Sequence, residues 1–160
     1  MSASLINALL DGPFALTPRP EPVPGDLRVA WGIALVVLIL NNSRGKRASL
    51  QKLHFLAHSA RTRQTRVEAQ EVFARQRRPS DFVVRVEPWL NRAMAFARGA
   101  GLIDLEKGKS AKLTPRGLQV GEALYQNHTM CTEEKAFLQE VGNKATEAAV
   151  EKIMRMELSL

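Results

Sequence analysis

Along this chain the spacing of apolar residues changes from helical to strand-like at one place in the second half. The segment Leu102-Ile103-Asp104-Leu105 predicts a short apolar strand, and Lys107-Gly108-Lys109-Ser110 predicts a turn whose glycine tolerates positive φ. Lys112-Leu113 begins the return strand. Thr114 then suits the N-cap of a helix, with Pro115 at its first position. The pattern predicts a two-stranded wing followed by a helix.

Three helices are predicted at the start of the main domain. Asp26 suits the N-cap of a helix from residue 27 to about 41, and its apolar run from Val29 to Leu40 leaves almost no polar face. We expect this helix either in the core or also along a subunit interface, with the core favoured. Ser49 is the expected N-cap of a second helix, to about Arg61. The third segment, from 62 to 76, is polar and is expected on the surface.

The segment before the wing is predicted to hold a short strand, 82–86, and a helix that begins at Glu87-Pro88 and ends at 99–101. In a winged-helix domain this helix would enter a DNA groove. Trp89, Leu90, Ala93, Met94, Phe96 and Ala97 are expected to pack, which leaves polar residues to reach base edges: Asn91, Arg92 and Arg98. After the wing, helices are predicted for 115–127, from Thr132 to 141, and from Asn143 or Thr146 to 158.

The fold class predicted is mainly α, a winged-helix domain with a small two- or three-stranded wing, an N-terminal arm and C-terminal helices. Residues 1–25 form an arm that becomes a semi-rigid tether at its prolines. Residues 26–127 form the winged-helix-like domain, with an insertion at 61–86, and residues 128–160 form the C-terminal helices. The arm is expected either to pack on the core of this chain or to dock on a partner. Partner-binding residues are expected in the arm and in the last helix: Leu5, Ile6, Leu9, Leu10, Phe14, Ile153 and Met154.

Charge favours an anionic partner, because 23 Lys and Arg residues against 16 Asp and Glu give a net charge of +7. The positive charge is concentrated in the middle of the chain and on the wing. We predict salt-sensitive, sequence-tolerant contacts with phosphates. Two alternatives are a solvated face and pairing with an acidic protein. The predicted nucleic-acid-binding residues are Arg44, Lys46, Arg47, Arg61, Arg63, Arg66, Arg75, Arg77, Arg78, Arg92, Arg98, Lys107, Lys109 and Lys112.

The sequence carries no motif that predicts catalysis: there is no phosphate-binding glycine loop, nucleophile elbow or dinucleotide fingerprint. We expect no enzyme activity, no cofactor and no metal. His54 and His58 have a spacing that suits two metal ligands, but no third ligand lies nearby, so buried structural histidines are favoured. Cys131 precedes two glutamates and is expected to be an inert thiol. A single cysteine and no secretory leader predict a cytoplasmic protein without a membrane anchor.

The long insertion departs from the pattern of winged-helix regulators, in which a short turn joins the second helix to the recognition helix. The chain instead resembles the small middle components of bacterial ABC-three-component systems, which include the Lamassu anti-phage systems. The resemblance covers roughly residues 27–125 and rests on these motifs: Val29-Ala30-Trp31-Gly32, Arg44-Gly45-Lys46-Arg47-Ala48-Ser49-Leu50-Gln51-Lys52-Leu53-His54, Trp89-Leu90-Asn91-Arg92-Ala93, Gly101-Leu102-Ile103 and Leu113-Thr114-Pro115-Arg116-Gly117.

That resemblance implies a non-catalytic adaptor that joins an SMC-like ATPase to an effector subunit, in a complex that senses foreign DNA. It carries over no catalytic residues. The alternative function is a DNA-binding transcriptional regulator of the winged-helix class, usually a homodimer, which the wing and the charge both suggest. The weak set of base-reading side chains predicted on the helix before the wing favours the adaptor.

Overall fold

A computed structural model describes residues 25–157 of the chain. The described residues form seven α-helices and three short strands, and two single turns of 3-10 helix lie at Arg44–Lys46 and Pro79–Asp81. The elements in chain order are α1 (Gly25–Asn42), β1 (Arg47–Ser49), α2 (Leu50–Ala60), α3 (Arg63–Phe73), α4 (Pro88–Gly99), β2 (Ile103–Glu106), β3 (Ser110–Leu113), α5 (Pro115–Gln126), α6 (Thr132–Val141) and α7 (Glu147–Glu157).

The first helix lies at the centre of the structure. Its six residues from Leu35 to Leu40 are completely buried, and α2, α4, α5 and α6 all pack around it. Gly32 allows close contact with α4, because a Cβ there would lie 3.0 Å from the Cβ of Ala93. A helix that is apolar on every side is stable in water only when neighbours surround it. The prediction of a core helix is confirmed.

The sheet at the wing has three strands, within the two or three expected. Strand β3 lies between β1 and β2, and both neighbours are antiparallel to it. Arg47 and Asp104 both pair with Lys112, while Ala48 and Leu105 both pair with Ala111. Because alternate residues point to opposite faces, the sheet buries the row of small and apolar residues and exposes the charged row. The mainly helical fold with a small antiparallel sheet is therefore confirmed.

Local capping determines where several helices begin. The side chain of Ser49 accepts a hydrogen bond from the backbone N–H of Lys52 at 3.0 Å, and Thr114 accepts one from Gly117 at 3.0 Å. Thr62 caps α3 through a capping box with Thr65. Each cap satisfies an N–H group that the first helical turn leaves without a partner. The predicted caps Ser49 and Thr114 are confirmed, whereas the prediction of Asp26 as the N-cap of the first helix is wrong, because α1 already begins at Gly25.

The strand predicted at 82–86 is wrong: this segment has an extended backbone but pairs with no strand in the described chain. Burial alternates over its first four residues, since Phe82 and Val84 are buried whereas Val83 and Arg85 are exposed, but Val86 breaks the pattern because it is exposed as well. The Phe82 ring packs edge-on against Phe55 of α2, with 5.8 Å between ring centroids. A segment whose side chains are anchored on helices can therefore have the sequence pattern of a half-buried strand without joining a sheet.

The C-terminal helices belong to the same hydrophobic core as the helices before the wing. Phe137, Leu138 and Val141 of α6 and Val150 of α7 are buried in that core. Trp31 of α1 also donates a hydrogen bond to Glu134 Oε1 at 2.9 Å. The sequence division at residue 128 therefore does not separate two cores within the described residues.

Candidate nucleic-acid interface

Most of the basic residues in and around α3 pair with carboxylates of the same chain. Arg77 pairs with Glu71 at 2.8 Å and Arg78 with Asp81 at 3.1 Å. Arg61, just before α3, pairs with Glu87 at 2.6 Å. These pairs hold the insertion 61–86 onto itself and onto the start of α4, which reduces the positive field that a distant phosphate would meet.

Among the residues predicted to contact phosphates, Arg66 has a clearly structural role. Its side chain is only 12% exposed, and its guanidinium donates to the carbonyl of Ala60 at 2.9 Å and to the carboxylate of Glu133. This arginine therefore joins α2, α3 and α6 and has few donors left for a ligand.

The face of α4 that points away from the core carries the three polar residues expected there. Asn91, Arg92 and Arg98 are all exposed, whereas Leu90, Ala93, Met94 and Ala97 are buried. Phe96 was expected to pack, but 54% of it is exposed. That expectation is wrong because Phe96 lies on the same outward face of α4 as Arg92.

A groove runs along this face of α4, with a volume of about 540 Å³. Asn91 and Arg98 line one wall, Leu105 of the wing lines another, and Leu50 at the start of α2 completes it. The groove therefore brings the polar side chains of α4 next to the wing. The protein can present both to one elongated ligand.

The wing itself carries three lysines. Lys107 and Lys109 lie in the turn between β2 and β3, and Lys112 lies on the exposed face of β3, all with exposed side chains. Lys107 itself has a φ of 51° and is followed by Gly108 at 64°, so the turn needs residues that tolerate the left-handed region. Arg47 on β1 is compensated, because it pairs with Glu106 at 2.7 Å.

Nine of the fourteen predicted residues pair with no carboxylate of the described chain. Five of them belong to α4 and the wing. The other four lie apart from that surface, two in the 3-10 turn after α1 and two along the insertion. The nine are Arg44, Lys46, Arg63, Arg75, Arg92, Arg98, Lys107, Lys109 and Lys112.

Two of the seven predicted partner-binding residues lie in the part of the chain that the structure describes. Leu5, Ile6, Leu9, Leu10 and Phe14 lie outside the described residues. Ile153 is 6% exposed and belongs to the core, and Met154 packs against that core. Helix α7 turns its apolar side inward, against α2 and the turn at Pro79–Asp81, so Ile153 is not part of the protein surface.

The two histidines of α2, His54 and His58, have surroundings typical of structural residues. His58 is buried, its Nδ1 lies 3.6 Å from Glu87 Oε1 and its ring packs edge-on against Phe82. Burial lowers the pKa of His58, and Glu87 partly opposes this. Burial likewise lowers the pKa of His54. Within the described part of the chain, no three metal-ligating side chains come together.

The thiol of Cys131 is in an unreactive environment. Burial raises its pKa, nearby Glu134 raises it further, and Lys135 opposes both. A higher thiol pKa leaves less thiolate, which is the nucleophilic form.

Comparisons with known proteins add nothing to the features described above. None of the helices in the range 25–157 combines the length and apolar character needed to cross a membrane. No protein-family model, curated protein or solved structure matches the chain.

Proposed function

We propose that this chain is a non-catalytic subunit with a winged-helix fold, and that it contacts DNA phosphates through α4 and the wing. The order helix, strand, helix, inserted helix, helix and two strands supports this fold, as does the position of β3 between β1 and β2. In such domains the helix before the wing approaches a groove of the duplex. Here that helix is α4, and its polar face is exposed.

The observation that carries the proposal is which basic residues pair with carboxylates of the same chain and which do not. The arginines around α3 are largely paired with carboxylates, whereas Arg92, Arg98 and the wing lysines have no such pairing in the described chain. Cations without an internal partner are available to release counterions from a duplex, and this drives sequence-tolerant binding. Asn91 adds a single amide, so base reading is a minor part of the interaction.

The second part of the proposal is that the chain is an adaptor within a larger cytoplasmic assembly. The resemblance to middle components of ABC-three-component systems supports an SMC-like ATPase and an effector subunit as its partners. Six large apolar side chains are exposed on the described surface: Val67, Val83, Val86, Phe96, Leu118 and Met130. Exposed apolar residues of this size suit contacts with other proteins.

A homodimeric transcriptional regulator is the second candidate, supported by the same wing and the same net charge. It requires several side chains that read base edges in each half-site. The α4 face offers Asn91, Arg92 and Arg98, which favours phosphate binding over readout of a palindrome.

Binding to a short duplex of arbitrary sequence, measured by fluorescence anisotropy across a salt series, tests the DNA contact. Replacing Arg92 and Arg98 by Gln removes two phosphate contacts. We expect the slope of log affinity against log salt to become shallower by about 1.8, since each contact contributes about 0.9.

The matched control removes the same charge from the insertion, through Arg77→Gln with Arg78→Gln. We expect this pair to leave the salt slope unchanged, because both arginines already have carboxylate partners. A loss of slope in the control as large as in the α4 variant contradicts the proposed surface.

The adaptor role is tested by co-expression with the products of adjacent genes. We expect a stable complex with a coiled-coil ATPase, and a weaker one when residues 1–24 are deleted. A monodisperse monomer that retains no neighbouring subunit, together with strong protection of one palindromic site, contradicts the adaptor and supports the regulator.

A further inference from the structure

A concave cleft of about 960 Å³ lies where the end of α1 meets the starts of α2 and α7. Its walls are polar, and they include Asn42, Ser49 and Asn143 but no aromatic side chain. The cleft opens at the β1 edge of the sheet, and α4 contributes none of its lining residues. Its volume is in the range that small ligands occupy.

Four cationic side chains line this cleft, and one of them is buried. Arg44, Lys46, Arg47 and Lys52 are the cations, and Glu147 is the single carboxylate in the lining. Lys46 donates to the carbonyl of Asn41 at 2.6 Å, which leaves its charge uncompensated. The pair between Arg47 and Glu106 removes one of the four. The cleft therefore keeps a surplus of positive charge.

Lys52 is the clearest sign of a ligand. It is only 5% exposed, yet its ammonium has no hydrogen-bond acceptor and no ion pair among the residues that the structure describes; its recorded hydrogen bond is made by the backbone N–H. Burial lowers the pKa of Lys52, and the charge of Glu147 partly opposes this. The stem of this side chain is buried while its ammonium opens into the cleft, and a cation held partly out of water gains from an anionic partner. An anion bound in the cleft would supply the missing partner.

Two helices begin at this cleft, α2 and α7, each of eleven residues. Their N-terminal N–H groups and dipoles favour negative charge. The carboxylate of Glu147 already uses this property, because it accepts hydrogen bonds from the N–H of Ser49 at 3.0 Å and from its hydroxyl at 2.6 Å. The start of α2 is therefore a place that accepts anionic oxygens.

We propose that the cleft binds a small molecule carrying two or more linked phosphates, whose oxygens contact Lys52, Lys46 and Arg44. Several cations at different depths suit a chain of phosphates better than a single one. Lys52 is only 5% exposed, which suits the narrow end of a free phosphate chain better than the backbone of a rigid duplex. Without an aromatic side chain in the lining, the cleft recognises the phosphates and not a base.

Isothermal titration calorimetry of the whole chain with inorganic triphosphate, at physiological salt, tests this proposal. We expect one triphosphate per chain and a rise in the melting temperature on binding. Lys52→Met keeps the apolar stem and removes the charge, so we expect triphosphate binding at least about tenfold weaker. Without triphosphate, this variant should melt no lower than the wild type, because it no longer holds an unpartnered charge partly out of water.

Lys152→Gln is the matched control, since Lys152 is an exposed cation of α7 that does not line the cleft. It should bind triphosphate as the wild type does. Glu147→Gln removes the carboxylate from the cleft, so we expect binding to tighten several-fold. This second variant keeps the proposal testable if Lys52→Met does not fold.

Three results would overturn the proposal: no binding of triphosphate to the wild type, unchanged binding in Lys52→Met, or unchanged or weaker binding in Glu147→Gln. Displacement of triphosphate by a short duplex would also overturn it, because the cleft would then belong to a DNA surface. We expect the duplex to leave triphosphate affinity unchanged. These outcomes are independent of the proposed DNA contact, since none of the variants lies on α4 or the wing.

Discussion

Gly117 determines how closely the first turn of α5 approaches the base of the wing. A Cβ at this position would overlap the carbonyl oxygen of Leu102. That oxygen also accepts a hydrogen bond from the N–H of Thr114 at 3.0 Å, and the hydroxyl of Thr114 donates to the carbonyl of Gly101 at 2.5 Å. The wing is therefore held to α5 through backbone groups that have little freedom to move.

We predict that Gly117→Ala lowers the free energy of unfolding by roughly 1–3 kcal/mol, the usual cost of forcing atoms into a packed site. Urea denaturation measures the change. Gly99→Ala is the control, because a Cβ there meets nothing within 4 Å. Equal stability of the two variants would show that the contact between α5 and the wing is not tight.

His54 and His58 make stability depend on pH. Burial depresses both pKa values in the folded state, so the unfolded chain binds protons first as the pH falls below about 6.5. The free energy of unfolding is therefore unaffected by these groups above that pH. It falls below it, by at most about 1.4 kcal/mol per pH unit for each histidine.

Chemical denaturation between about pH 7.5 and pH 5.5 checks this prediction. The double variant His54→Gln/His58→Gln should have a flatter profile than the wild type, while substitution of the exposed His128 should leave the slope in place. A wild-type stability that is constant or rises as the pH falls contradicts the proposed role of the two buried rings.

At the scale of elements, the helices were predictable because their signals are local. Ser49 and Thr114 cap the helices that follow them, through bonds to residues three positions away. A strand has no such local signal, since its backbone partner lies far along the chain. The pattern at 82–86 therefore predicts a strand that does not form, and no local pattern predicts β1.

Phe82 anchors this extended segment through its side chain. We predict that Phe82→Ala lowers the free energy of unfolding by about 3–5 kcal/mol, as for other buried aromatic residues. Val83→Ala, at a position that is 60% exposed, should cost less than about 0.5 kcal/mol. Comparable losses in thermal or urea unfolding would mean that the segment is not held by its buried face.

At the scale of the whole molecule, the sequence predicted how much positive charge there is but not which charges are available. Arg66 and Glu133 are 67 positions apart, and only the packing of α3 on α6 brings them together. The cleft around Lys52 is similar, because its walls come from α1, α2 and α7. Properties that depend on the meeting of distant segments cannot be derived from local patterns.

The measurement that tests the central claim most directly is hydrogen exchange of the whole chain with and without a short duplex. We predict slower exchange in the presence of DNA across α4 and the wing turn, residues 91–98 and 107–112, with little change across the insertion at 61–78. Protection confined to the insertion, or no protection in either region at low salt, would contradict the proposal that α4 and the wing contact DNA.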